Sequence, residues 1–321
     1  MSEYREFDLT GIETYPLTSR PSKVRVADFA TPFVAGSGVP GWLASLPRIL
    51  AGADFVAAVE AIRAARQCAA PIVWGIGGHV VKTGLGPVLT DLMARGFVSA
   101  VATNGAGVIH DFEIAIGGQT SEDVDAALGP GQFGMAKETG EELNAAVTAG
   151  VGRGEGFGQA VGRWLLDRRP PYASSSVLAE ATRLGIPVTV HVAMGTDIIH
   201  MHPMASGAAI GEASLRDFRC FTSIVAGLAG GVYLNCGSAV VLPEVFLKAV
   251  ALVRNRGISL GGLTTVSLDF IRHYRPQVNV VQRPTQGIGR GITLVGHHEL
   301  LIPLIAAALV EGQEGGGETQ T

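Results

Sequence analysis

Apolar and polar positions along this chain switch between two periods. Residues 51–68 carry Ala and Val on one face at helical spacing, whereas 71–75 (PIVWG) is a short apolar run closed by a glycine and predicts a buried strand. An amphipathic helix over 85–95 follows, then a strand over 98–103 that runs into Asn104-Gly105-Ala106-Gly107. Strand, glycine turn, helix and strand make a βαβ unit, and βαβ units build parallel sheets. The rhythm resumes after residue 163. Helices are predicted over 174–184, 215–226, 243–254 and 299–310, and strands over 188–192, 231–235, 262–269 and 278–281. The fold class is therefore α/β, a Rossmann-like, mostly parallel sheet with helices on both faces. Residues 1–40, with their Pro and Gly, read as an arm, 41–311 as a single domain, and the polar, Gly-rich 312–321 as a disordered tail. Between about 119 and 163 the alternation breaks, as in an inserted lid or interface segment.

Composition narrows the class. With a net charge of −4 and a pI near 6.1, the chain lacks the clustered cations that bind phosphate backbones, so nucleic acid is not an expected partner. Three widely spaced cysteines, Cys68, Cys220 and Cys236, give neither a disulfide framework nor a metal pattern and are expected as buried free thiols. The longest uncharged stretch, 224–242, is broken by glycines and polar residues and reads as a helix end, a turn and a strand rather than a membrane span. No secretory signal is visible, and a cytoplasmic protein is expected. Lysine is scarce: Lys23, Lys82, Lys137 and Lys248 are the only candidates for imine chemistry.

Ligands of open α/β sheets bind beyond the carboxyl ends of the strands, and four such ends here are polar or glycine-rich. Gly77 and Gly78, ahead of His79 and Lys82, could let a pyrophosphate approach a helix. The turn from Thr103 to Glu113 holds Asn104, Gly105, His110 and Asp111, and the neighbouring acids could fix the tautomer of His110 for acid–base work. A third segment, 191–203, holds His191, Asp197, His200 and His202, which could serve an organic ligand, core hydrogen bonds or a metal; no metal site is assigned. The fourth carries His297 and His298, which as neighbours cannot both enter one pocket.

The segments GHVVKTGLGPVLTDLMARGFVSAV, TNGAGVIHDFE, PVTVHVAMGTDIIHMHP, YLNCGSAVVLPEVFLKAV, GGLTTVSLDF and ITLVGHHELLIPLIAAAL follow in an order and spacing that resemble the deoxyhypusine synthase family, from about residue 70 to 310. The resemblance implies NAD as cofactor and a homotetramer built as a dimer of dimers, with active sites between subunits. It places His79, Lys82, Thr103, Asn104, Gly105, Gly237, Ser238, Thr265, His297 and His298 at the cofactor, to which Asp111 is added, and Asp197 near an amine substrate. The pattern also departs from the family. Residues 275–291 contain no counterpart of the family's imine-forming lysine, Leu242-Pro243-Glu244 stands for its Lys-His pair, and His110 replaces an acid. These changes imply an NAD-dependent enzyme with redirected, small and polar, possibly amine, substrate: transient hydride removal and return accompany elimination or group transfer. His110, His200 and His202 are the acid–base candidates, with Lys82 as a replacement nucleophile. The alternatives are a true deoxyhypusine synthase with a relocated lysine, a metal-dependent lyase or hydrolase, and a non-catalytic NAD-binding paralogue.

Overall fold

The computed structural model describes residues 4–314. Its helices are Gly38–Ser45 (α1), Leu50–Gln67 (α2), Gly78–Lys82 (α3), Gly86–Ala94 (α4), Gly105–Gly117 (α5), Val124–Leu128 (α6), Lys137–Gly152 (α7), Phe157–Arg168 (α8), Val177–Arg183 (α9), Gly207–Ala226 (α10), Val241–Asn255 (α11), Tyr274–Pro276 (α12) and His298–Glu314 (α13). The strands are Ile72–Ile76 (β1), Ala100–Asn104 (β2), Val188–His191 (β3), Val232–Cys236 (β4), Thr264–Asp269 (β5) and Arg290–Val295 (β6). They form one sheet in the order β3-β2-β1-β4-β5-β6, with every neighbouring pair parallel. This is the doubly wound Rossmann arrangement, whose order reverses between β1 and β4.

Strand period two divides the core between the faces. Ile72, Trp74 and Ile76 of β1, with Leu234, Val266 and Ile292, pack against α2, α4, α5, α8, α9 and α13. Val73, Ala100, Ala102 and Tyr233 face the other way, onto Phe221 and Val225 of α10 and Phe246, Ala249 and Val253 of α11. There the Tyr233 ring stacks on Phe246 at 3.9 Å. Both faces of the strands are covered, which is why they read as unbroken apolar runs. Helix α10 serves both layers: Ile210 and Ala213 join the first and Phe221 and Val225 the second, as a crossing from β3 at the edge to β4 at the centre requires.

Several expectations change. The predicted strand over 278–281 is a π-helix, Gln277–Gln282, and the sixth strand is β6. Its Val278, Val280 and Val281 mimic strand composition, but the segment is wedged beside β5, whose Thr265 hydroxyl donates to the Val280 carbonyl at 2.8 Å. Helix α10 starts at Gly207, eight residues before the amphipathic pattern suggests, capped by Ser206. Helices α7 and α8 bury Leu143, Val147, Phe157, Val161 and Leu165 in the main core, so the irregular stretch narrows to 119–136. Cys68 and Cys220 are exposed and only Cys236 is buried. The last helix runs through Glu314, four residues past the expected end, and the remainder of the predicted tail lies outside the described residues. The arm between residues 4 and 36 is exposed except at Asp28. No described helix is long and apolar enough to cross a membrane.

Candidate functional site

The carboxyl ends of β1 and β4 meet at the point where the strand order reverses. Gly77 donates its N–H to the Cys236 carbonyl at 2.8 Å, and Gly237 donates to Leu268 at 3.0 Å, so the turns after β1, β4 and β5 form one tied ledge. Gly237 has φ +68°, and a Cβ there would come within 2.9 Å of the His298 ring. His298 is 1% exposed, and its Nε2 lies 3.1 Å from the Leu268 carbonyl. A carbonyl only accepts, so Nε2 carries the proton and Nδ1 is left as a buried acceptor without a partner. The His79 ring meets His298 edge-on at 5.6 Å, and Phe270 lies beside His79. Burial, then His298 and Lys82, hold the His79 pKa below the usual imidazole range. His297 points outward and stacks on Phe270. The two adjacent histidines thus diverge, as their positions dictate.

Asn235 was not singled out by the sequence, yet it is fully buried near the end of β4. Its Nδ2 donates to the Ser238 carbonyl at 3.0 Å, and its Oδ1 has no partner. A lone amide in the apolar run VYLNC is the signal that could have marked it. Ser238 accepts the Leu242 N–H at 3.2 Å and so starts α11. Thr103 lies below the ledge, its hydroxyl donating to the Ile76 carbonyl at 2.9 Å.

From β2 the chain enters α5, with Asn104 Oδ1 accepting the Gly107 N–H at 2.9 Å. His110 lies one and a half turns into this helix. A Cβ on Gly78 would stand 3.2 Å from His110 Cδ2, which puts the Cδ2 edge of the imidazole against the β1–α3 turn. The other edge faces away: His110 Nδ1 is 2.7 Å from Thr120 Oγ1, and Thr120 donates to Glu113 Oε2 at 2.5 Å. Thr139 donates to the other carboxylate oxygen at 3.1 Å. As a carboxylate, Glu113 offers acceptors only; Thr120 has one proton and gives it to Glu113, so it accepts from the imidazole. The chain of bonds fixes His110 as the Nδ1–H tautomer, with the Nε2 lone pair on the side of the ledge. Burial lowers the His110 pKa and Lys82 adds to this, against the pull of Glu113, so the ring is neutral near neutral pH.

Beyond Glu113 opens a cleft of about 560 Å³ lined by Glu113, Thr120, Glu122, Glu138, Thr139 and Glu142 among others. Its four carboxylates face no lining Lys or Arg. The sequence reading did not foresee this cleft, because its walls come from α5, α7 and a patternless loop.

Other candidates fall elsewhere. Asp111 is fully buried, its carboxylate accepting from Ser176 Oγ, from Val177 N at 2.7 Å and from Leu178 N at 3.1 Å. It caps α9 inside the core rather than facing a cofactor. One residue along a helix is a turn of about 100°, so Asp111 cannot share the orientation of His110. Thr265 sits near the start of β5, roughly 13 Å of strand from the carboxyl edge, and is fully buried. That position and its bond to Val280 make it a core residue, correcting its placement at a strand end. His202 Nε2 contacts the Gly134 carbonyl at 2.8 Å, and its ring packs against Gly140, holding the 119–136 stretch to α7. His191 is buried against Phe221, with Thr189 on its Nε2 and burial driving its pKa to about 3. Lys82 is exposed at the end of α3. Asp197 and His200 lie in the turn after β3, the Asp197 carboxylate against Gly105. The described residues contain no group of three or more His, Cys, Asp or Glu placed to hold a metal.

Neither a family model nor a curated protein matches the sequence. Among solved structures, AgrE in ternary complex with ornithine and NAD+ aligns with a TM-score of 0.54 at 16% identity, over 81% of this chain and 33% of AgrE. A conserved LOR/SDH-type protein from Methanococcus maripaludis S2 gives 0.54 at 13% identity, over 83% of this chain and 71% of its own. A protein assigned as a deoxyhypusine synthase from Entamoeba histolytica covers 88% of this chain and 96% of its own at 13% identity, with a TM-score of 0.48, below the level at which a likeness carries weight. The chain thus spans a third of the length of AgrE. What it shares with AgrE and the Methanococcus protein is the fold, a parallel Rossmann-type α/β sheet, which AgrE carries in a structure with NAD+.

Proposed function

We propose that this protein is an NAD-dependent enzyme acting on a small amine, in the manner of the deoxyhypusine synthase-like proteins its sequence resembles. The observation that carries the reading is the line of groups from the ledge at the strand-order reversal, through His110 with its bare Nε2, to the acidic cleft. In doubly wound sheets the strand-order reversal is where a dinucleotide binds, which supports the ledge as its place. Gly77 and Gly237 keep the ledge free of side chains, and the unpartnered His298 Nδ1 and Asn235 Oδ1 await donors. Gly77, Gly78, His79, Gly237, Ser238 and His298 would hold the cofactor, with His297 at its mouth. NAD, when bound, supplies reversible hydride removal.

The protein's own residues do the rest. Glu113, Glu122, Glu138 and Glu142 attract and orient a cationic amine, each direct charged hydrogen bond contributing about 1.5–3 kcal/mol. His110 Nε2, on the ledge side of the ring, would take a proton from the end of the substrate that reaches past Glu113 to the cofactor and return it, while Thr120 and Glu113 hold the ring from the cleft side and stabilise the imidazolium that forms. Lys82 is close enough to depress both His79 and His110 electrostatically and is the amine available for an imine. The exposed Phe7, Leu9, Ile12, Val26 and Phe33 of the arm support a homo-oligomer, read here as the dimer of dimers, in which they are covered.

Calorimetric titration with NAD, followed by diamines and amino acids added to the complex, tests the reading. The expectation is NAD binding in the micromolar range and an amine-dependent change in nicotinamide absorbance that His110→Ala abolishes. Absence of NAD binding at millimolar concentration would overturn it.

A further inference from the structure

The turn after β3 holds two polar atoms with nothing to bond. Asp197 Oδ2 is buried and without a partner, and so is His200 Nε2. The protonation of His200 follows from its other nitrogen, since Nδ1 accepts the N–H of Gly195 at 3.1 Å and of Asp197 at 3.3 Å. Nε2 therefore carries the proton, and the turn presents one bare acceptor and one bare donor. Their position in the sheet is informative. Asn104, the last residue of β2, pairs with His191, the last of β3, and the chain after β3 folds back over β2. A Cβ on Gly105 would stand 2.0 Å from Asp197 Oδ2, so the carboxylate fills the space that a side chain just past β2 would otherwise take.

In doubly wound dinucleotide folds an acidic residue near the end of the second strand receives the hydroxyls of the adenosine ribose. Here β2 ends without an acid. Asn104 stands there instead, and its Oδ1 is already engaged by the Gly107 N–H at 2.9 Å. We infer that Asp197, delivered across the sheet from the turn after β3, is the ribose carboxylate of this protein, that His200 Nε2 is its companion donor, and that together they select NAD over NADP. A ribose diol carries both donors and acceptors and satisfies both atoms at once, whereas left alone each is a buried polar group that destabilises the turn. A 2′-phosphate would bring negative charge onto the carboxylate. Burial raises the Asp197 pKa, with His200 opposing, as befits a carboxyl group still short of donors. Asp197 and His200 are themselves only partly buried, and the preceding Met194, Gly195 and Thr196 are exposed, so the turn lies at the surface. Asp197 thereby leaves the substrate end of the crevice, where the family resemblance puts it.

This inference rests on the reading of the crevice as an NAD site, and calorimetry separates the two. Wild-type protein, Asp197→Ala, the shape-conserving Asp197→Asn and Gly105→Ala are titrated with NAD, NADP and NAD lacking the 2′-hydroxyl of its adenosine ribose. Circular dichroism establishes that each variant is folded. Wild type should bind the deoxy analogue and NADP each at least about 10-fold more weakly than NAD. Asp197→Ala and Asp197→Asn should lose about 10- to 100-fold in NAD affinity and bind NAD and the deoxy analogue alike. Gly105→Ala, which displaces the carboxylate without removing it, should behave similarly. Unchanged NAD affinity and unchanged discrimination in both Asp197 variants would overturn the inference and leave the NAD reading standing. Failure of wild type to bind NAD at all would overturn both.

Discussion

The bonded chain from His110 to Glu113 makes a claim about a single proton. If Thr120 must donate to Glu113, the Nε2–H tautomer of His110 would set two lone pairs against each other across 2.7 Å. Forgoing that hydrogen bond costs about 1–1.5 kcal/mol, a preference of roughly 5- to 13-fold for the Nδ1–H form. Thr120→Val keeps the shape of the side chain and removes the hydroxyl, so the preference should fall to parity or reverse, and Glu113 loses one of its two donors. Long-range ¹H–¹⁵N correlation of the histidine rings reads the tautomer directly. At about pH 8 the His110 ring is neutral, because burial holds its pKa below the ordinary value. The expected result is a protonated Nδ1 and an unprotonated Nε2 in wild type, with the two nitrogens near equal in Thr120→Val. A wild-type ring protonated at Nε2 would refute the argument, as would a variant with the wild-type ratio, and His110 would then lose its place as the base.

Charge changes around the same ring should act in opposite directions: Glu113→Gln lowers the His110 pKa further and Lys82→Met raises it, both read by NMR titration. Asp111→Ala strands three donors in the core and should cost about 3–5 kcal/mol in urea denaturation; a loss below about 1 kcal/mol would contradict the capping role. Burial raises Asp111 to about 6, so folding takes up a proton there. The stability this group contributes is complete below about pH 4 and fades as pH rises through 6, by about 3 kcal/mol in all, and Asp111→Asn should flatten that slope. Thr265→Val should lower stability by about 1–2 kcal/mol and leave NAD affinity unchanged, since its hydroxyl serves only Val280; a weaker NAD complex would return Thr265 to the cofactor site.

The sheet was legible in the sequence because parallel strands covered on both faces must be short apolar runs, and Ile72–Ile76, Ala100–Asn104 and Val232–Cys236 are such runs. The segment Gln277–Gln282 defeated the same logic, since valine content records burial and not backbone conformation. The strand ends that carry the ledge were found because glycines and polar residues there interrupt apolar patterns. What joins them was not. Thr120 and Thr139 reach Glu113 from a loop and from another helix, and no periodicity links them. Thr265 was misplaced because a motif suggested a strand end that only the strand's length could settle. Asp111 could have been set aside from helix geometry alone, being a quarter turn from His110.

The strand order has a consequence for how the molecule holds together. β1, β2 and β3 are contiguous in the chain and so are β4, β5 and β6, so the sheet is two consecutive halves joined edge to edge along β1 and β4. The crevice straddles that seam: Gly77, His79 and His110 belong to the first half, Asn235, Gly237 and His298 to the second. A molecule lodged there grips both halves and acts as a fastener. Separation of the halves and loss of the ligand become one event, and the melting temperature of the whole protein becomes a gauge of what the seam has bound.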